Sequence, residues 1–464
     1  MVKQNDAPNP CAVRNKAPTL ADFDTPSAPM PKYPRTLVST MRAVYADSMS
    51  DATDAQLAAQ YEAYPYPRRD PRDEAKRLIV GSPGHLQEID HWVFGASRPA
   101  SRPLHALIAG GGTGDGTLML AQHMARDGRP GSVTWLDRSQ AALGIAQARA
   151  AARKLTNIVW EQRSLLDLPG SGLGPFDYID CCGVLHHLPD PAAGLRALTS
   201  VLAPGGGMGL MVYAPHGRTG VYMIQDALRM LAPAAQPPAE RLDAAKRVMR
   251  HLPDTAWIKH NRNFDDHING GDAGLYDLLL NPRDRSFTVT ELDALIEAAG
   301  LRVACWGEPI RYDPALLLPD PRLRAKLDHM TPTERAALAE AIAGNMAVHI
   351  LYCTRQSEPV TRADPMADGA VPLCREIPGE VMAQGIQPNG TMVIGFDGLR
   401  IPVALPAQAG AILRLVDGKR TVGEIAAILA TRGINGEIFR RAWATTFQAL
   451  ERVNRVLLAA PRSG

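Results

Sequence analysis

The chain of 464 residues predicts an α/β fold, a doubly wound and mostly parallel sheet with a small α+β module after it. Three observations predict it. The apolar run Leu104–Ala109 flows into the cluster Gly110-Gly111-Gly112-Thr113-Gly114, and a helical pattern follows from Thr117 to Arg126: strand, tight turn, helix. Strand and helix patterns then alternate as far as Tyr213. Two later apolar stretches, Arg302–Trp306 and Ala347–Thr354, are expected to complete the sheet as an antiparallel pair.

The elements follow in order. Residues 1–36 are rich in proline and polar residues without periodicity, which predicts a disordered tail. Residues 37–103 read as an N-terminal helical extension, with helices over Leu37–Met49, Asp54–Tyr61 and Glu74–Val80. Prolines between Tyr64 and Arg68 forbid a continuing helix there. Residues 104–355 read as one domain. After the first helix come strand Ser132–Leu136 ending at Asp137, helix Gln140–Lys154, strand Ile158–Glu161 and strand Phe176–Cys182. Helix Ala192–Leu202 is followed by A-P-G-G-G, expected as a turn, and by the fifth strand, Met208–Tyr213. Residues 216–300 are mostly helical, including Val221–Leu231 and Ala239–His251, with Asn269–Asp284 loop-rich and Thr290 an expected N-cap for Glu291–Ala299. A charged helical insertion spans Pro321–Ala343. Residues 356–378 read as a Pro-rich linker.

From Gly379 the character changes. Met392–Phe396 and Leu399–Val403 flank D-G, a strong hairpin signal. Helices are expected at Gln408–Leu415, Val422–Thr431 (capped by Thr421) and Gly436–Ala449. A hairpin with three helices predicts a winged-helix-like accessory module over 379–464.

Composition narrows the function. The chain is 45% hydrophobic and 21% charged, with a net charge of +2, so nothing draws it as a whole toward nucleic acid or anionic membrane. The last 86 residues hold ten Lys/Arg against six Asp/Glu, too mild a balance for a nucleic-acid surface. No apolar run reaches the roughly 20 residues of a membrane helix, and the N-terminus lacks a signal-peptide core, so membrane insertion is not expected and the cytoplasm is the expected location. The six cysteines lack metal-ligand spacing, as do His251, His260 and His267, and no metal site is expected. The pair Cys181–Cys182 reads as buried small hydrophobes.

The glycine turn is not a dinucleotide fingerprint. G-x-G-x-x-G fails in every frame, and what stands there is G-x-G-x-G: Gly110, Gly112 and Gly114 around Thr113. The second strand ends at Asp137, about 20 residues past the turn, where a carboxylate can accept both hydroxyls of a ribose. Arg138 adjoins it. The third strand leads to R-S-L-L-D, placed to edge an adenine. The fourth gives F-D-Y-I-D-C-C-G-V-L-H-H-L-P-D-P, which carries Gly183, His186 and His187, and L-A-P-G-G-G precedes the fifth.

With these motifs together, residues 104–215 resemble the class I S-adenosylmethionine-dependent methyltransferases, a Rossmann-like fold. The resemblance extends to a bacterial subgroup with Y-E-x-x-P-Y-P-R upstream and D-L-L-x-x-x-x-D-R-x-F-T downstream, here Tyr61–Arg68 and Asp277–Thr288. It implies S-adenosylmethionine as cofactor, with Gly110, Gly112, Thr113 and Gly114 under its methionine portion and Asp137, Ser164, Leu165 and Gly183 around its nucleoside. The chain departs from the pattern twice. The acidic residue usual two positions before the first glycine is Ile108 here, and the one usual after the third strand is Ser164, with Asp167 as the alternative.

On the acceptor side, His186 and His187 are the candidate proton acceptors, each weighed against a packing role, with Tyr213 and His216 on the same edge. The absence of an N-P-P-Y-like sequence after the fourth strand argues against methylation of planar amide or base nitrogens. Tyr64, Tyr66 and Arg68 are candidates for a cover over the cofactor, and Tyr276, Asp277, Arg283 and Asp284 for the acceptor wall. The expected reaction is methyl transfer to a small metabolite, a peptide or a protein. The alternative is a cofactor-sensing or regulatory protein without turnover. The C-terminal module resembles small peptide-recognition winged helices through its pattern from Leu413 to Ala426, and a dimerising role is its rival. The sequence leaves the acceptor and the oligomeric state open.

Overall fold

The computed structural model describes residues 53–263 and 266–461. The expected tail over 1–36 and the helix expected at Leu37–Met49 lie outside them. Seven strands form one sheet in the order β3-β2-β1-β4-β5-β7-β6: β1 Leu104–Ala109, β2 Gly131–Asp137, β3 Ile158–Gln162, β4 Phe176–Cys182, β5 Leu202–Tyr213, β6 Leu301–Trp306 and β7 Val348–Arg355. β1 to β5 pair in parallel, and β7 runs antiparallel to both β5 and β6. This is the expected Rossmann-like sheet with its antiparallel strand. Strands covered on both faces read as near-continuous apolar runs, as Ala106–Ala109 of β1 does. On one face Leu107, Ile179, Leu210 and Leu351 pack with Leu195, Leu198, Leu292 and Ile296. On the other, Ala106, Ile108 and Tyr178 pack with Leu120, Met124 and Trp92.

Several expectations are corrected. A-P-G-G-G is not a turn outside the sheet, because β5 begins at Leu202 and runs through it. The register shifts between Phe176 and Tyr178, and Gly206 and Gly207 allow the close approach: a Cβ on either would fall 2.8 Å from a backbone oxygen. Glu74–Val80 is not a helix. A 3-10 turn spans Pro71–Ala75, and the Glu74 carboxylate is drawn into an ion pair with Arg149. Asn269–Asp284 is not loop-rich, since a helix spans Gly271–Leu280 and its residues from Ala273 on are buried. Tertiary burial there overrides the cost of two helical glycines, about 1 kcal/mol each. The N-cap before Glu291 is Thr288, not Thr290; Thr288 and Glu291 form a capping box on the helix Val289–Ala298.

In the C-terminal region β9 Thr391–Phe396 and β10 Leu399–Ala404 form the expected hairpin, turning at Asp397 (φ 46°) and Gly398 (φ 87°). Helices Ala409–Leu413, Val422–Ala430 and Gly436–Glu451 follow, and Thr421 caps the second in a capping box with Glu424. The linker is partly structured: β8 Pro372–Cys374 pairs antiparallel with β11 Val456–Leu458. The core of this region also takes in Ala96 and Ile310 from outside it, so the module is packed onto the sheet domain.

Candidate functional site

The carboxyl ends of β1, β2, β4 and β5 open into one cavity of about 860 Å³. Ligands of doubly wound folds bind at this edge. Gly110, Gly112 and Gly114 all hold positive φ, at 79°, 48° and 102°. A Cβ on Gly110 would fall 2.2 Å from Val184 Cγ2, and one on Gly111 would fall 2.2 Å from Trp135 Cδ1, so the turn has no room for side chains on its inner side. The Gly112 N–H donates to Asp137 Oδ2 at 2.8 Å, and Trp135 Nε1 donates to the Gly112 carbonyl at 3.0 Å. Asp137 Oδ1 accepts from the Ser139 N–H at 3.0 Å. Each carboxylate oxygen thus takes one backbone donor and keeps lone-pair capacity for a hydroxyl. Burial pushes the Asp137 carboxyl upward, against the pull of those backbone donors.

A buried ion-pair network holds this turn. Arg149, 1% exposed, donates to the Thr113 carbonyl (2.7 Å), to Asp115 (2.7 Å) and to Glu74 (2.6 Å). Arg69 also binds Asp115, and the Thr113 hydroxyl donates to the Pro67 carbonyl at 2.8 Å. The segment around Tyr66 and Pro67 is thereby stapled across the glycine turn, and both residues line the cavity. Of the residues expected to cover the cofactor, Tyr66 lines the cavity. Tyr64 stacks on Tyr276 at 5.1 Å outside the lining, and Arg68 points to solvent; Tyr61 lines the cavity instead. Arg138, Ser164, Leu165 and Gly183 also line it, whereas Asp167 is exposed and does not. Ser164 additionally caps the turn that follows, accepting from the Leu166 N–H.

The far wall is built from Tyr61, His187, Tyr213 and Asp277. Asp277 accepts from the Tyr61 hydroxyl (3.0 Å), the Tyr213 hydroxyl (3.4 Å) and Asn281 Nδ2 (3.3 Å). Burial raises its carboxyl. His187 Nδ1 lies 2.6 Å from the Arg283 carbonyl. A carbonyl only accepts, so Nδ1 carries the proton and Nε2 of the neutral ring keeps its lone pair. His186 does not line the cavity. It is wholly buried, its Nδ1 accepts from the Tyr213 N–H at 3.3 Å, and its ring stacks on Tyr213 at 3.8 Å. Burial drives its pKa well down, and its ring packs against Tyr213 rather than facing the cavity. His216, Tyr276, Arg283 and Asp284 are likewise outside the lining, and Arg283 pairs with Asp54.

Arg218, Cys182 and Asp180 are among the cavity residues that no sequence motif singled out. Arg218 lies with its guanidinium 3.7 Å from the Tyr213 ring centroid and pairs with Asp284 at 2.7 Å. Cys182 lines the cavity and is exposed to it, unlike buried Cys181, because alternate residues of β4 face opposite sides. Asp180 lines it from β4, where an acid inside the stretch Tyr178–Cys182 was the available signal. Among the described residues no cluster suits a metal ion, and no helix is long and apolar enough to cross a membrane.

Residues 107–208 match the family model described as a methyltransferase domain. An uncharacterized protein of Synechococcus sp. is 28% identical over 66% of this chain and 73% of its own length. The ubiquinone biosynthesis O-methyltransferase of Acinetobacter baylyi is 29% identical, but only over 33% of this chain and 60% of the relative. Among solved structures, PKMT2 of Rickettsia typhi in complex with AdoHcy superposes with a TM-score of 0.57 at 16% identity, covering 82% of this chain and 76% of that one. That likeness carries the methyltransferase fold well beyond the matched domain.

Proposed function

We propose that the protein transfers a methyl group from S-adenosylmethionine to an acceptor held against Tyr61, His187, Tyr213 and Asp277. One observation carries this reading. A single cavity joins the glycine turn, Asp137 and the Ser164–Leu165 edge on one side to that tyrosine, histidine and carboxylate wall on the other. The cofactor fits the residues present: Asp137 has acceptor capacity for ribose hydroxyls, and the side-chain-free turn leaves space under a methionine portion. Gly110, Gly112, Thr113 and Gly114 would hold that portion, with Asp137 and Arg138 at the ribose, Ser164, Leu165 and Gly183 near the adenine, and Tyr66 over it.

When bound, the sulfonium supplies an activated methyl group, so in-line positioning is the main demand on the protein. Tyr61 and Tyr213, oriented by Asp277, place the acceptor. His187 Nε2 takes the proton from an acceptor that arrives protonated. The acceptor is a small metabolite, or a peptide or protein guided by the C-terminal module. The cofactor claim is tested by calorimetric titration with S-adenosylhomocysteine. Absence of binding at millimolar ligand overturns it, and Asp137→Ala is expected to weaken binding about tenfold or more. The rival reading, a sensor without turnover, is tested by incubating the protein with labelled S-adenosylmethionine and cell extract. Label in a product excludes the sensor.

A further inference from the structure

We propose that Asp180 receives the ammonium group of the S-adenosylmethionine amino-acid portion, replacing from β4 the acid that β1 lacks. The inference rests on the cofactor reading above. Ile108, the residue two positions before the first glycine, is the direct cross-strand partner of Asp180. Neighbouring residues in register across a parallel pair project to the same face of the sheet. Both residues line the cavity. The negative charge is therefore present at this level of the sheet, one strand over from its usual place.

Its surroundings single this carboxylate out. Among the charged groups of the cavity, Asp115 is paired with Arg69 and Arg149, Asp54 with Arg283, and Asp397 with Arg311. Glu62 accepts from the Gln140 and Ala141 N–H groups, Asp137 from two backbone N–H groups, and Asp277 from two phenols and an amide. Asp180 is 1% exposed, and its hydrogen bond among the described residues is from the Tyr178 hydroxyl at 3.3 Å. No cation among the described residues pairs with it. Gly84 keeps the space beside it: a Cβ there would fall 2.5 Å from Asp180 Oδ2 and 3.3 Å from the Met119 methyl. A buried carboxylate without a cationic partner is costly, and a ligand that brings an ammonium into the cavity removes that cost. Of the groups in S-adenosylmethionine, the ammonium belongs to the same end that the Gly110–Gly114 turn would hold.

The test compares two ligands in the full-length protein. S-adenosylhomocysteine has the ammonium, whereas 5′-methylthioadenosine keeps the nucleoside and thioether without the amino-acid portion. Neither carries a sulfonium, so the comparison reads the amino-acid portion, and of its two charged groups only the ammonium loses an attraction when Asp180 becomes neutral. Calorimetry on wild type and Asp180→Asn is expected to show S-adenosylhomocysteine weakened about tenfold or more, with 5′-methylthioadenosine changed less than about twofold. Retained binding of the latter also shows that the variant is folded. Asp180→Asn that keeps full affinity for S-adenosylhomocysteine, or that loses both ligands equally while remaining folded by circular dichroism, overturns the role of Asp180. Wild type that binds neither ligand overturns the cofactor reading itself, and this inference with it.

Discussion

Asp180→Asn has a second consequence, in the free protein. Burial raises the Asp180 carboxyl from 3.8 to about 7, the Tyr178 hydrogen bond opposing. A carboxyl raised on folding contributes stability that is fully present below pH 3.8 and lost as pH rises through 7. Above pH 7 wild type therefore carries a penalty on the order of 4 kcal/mol, at about 1.4 kcal/mol per unit. Asparagine fills the same space without titrating. The stability gap in favour of the variant should grow by about 3 kcal/mol between pH 5 and pH 8. For a chain of this size that is a shift of about 3–5 °C in relative melting temperature. Differential scanning of both proteins across this range measures it, and titrating groups common to the two cancel in the difference. A gap that stays constant from pH 5 to pH 8 refutes the reasoning, because Asp180 would then have no raised pKa to lose. Saturating S-adenosylhomocysteine at pH 8 should lift wild type more than the variant.

Two further outcomes are expected. Glu74→Ala removes one of the two carboxylates paired with buried Arg149, which keeps Asp115 and the Thr113 carbonyl; it should cost about 1–3 kcal/mol in urea denaturation and weaken S-adenosylhomocysteine binding through the loosened turn. His187→Ala should lower labelled-methyl incorporation about 10²–10⁴-fold with cofactor affinity nearly unchanged, if the acceptor must lose a proton; equal incorporation by wild type and variant shows that no base acts at this position.

Much of the site was legible because it depends on local chain geometry. A turn that needs positive φ at Gly110, Gly112 and Gly114 announces itself as glycine. A carboxylate that must reach that turn has to end the neighbouring strand, and Asp137 does. The pair His186–His187 was legible as a motif but not as two roles. Adjacent residues in a single tight turn face different surroundings, and only packing placed one ring under Tyr213 and the other in the cavity. The helix Gly271–Leu280 escaped a reading by propensity because burial, not its two glycines, decides its state.

By itself the sequence determined the order of strands and helices from β1 through β5, the glycine turn, the D-G hairpin and the Thr421 cap, all of which follow from periodicity and residue-level conformational preference over a few positions. The tertiary structure decided which charges find partners. Arg149 reaches Glu74 across 75 positions, and the Tyr61 hydroxyl reaches Asp277 across 216. Asp180 meets the position of the absent acid at Ile108 only because β4 lies beside β1 in register. Such pairings depend on distances between strands and segments remote in the chain, which no local pattern encodes.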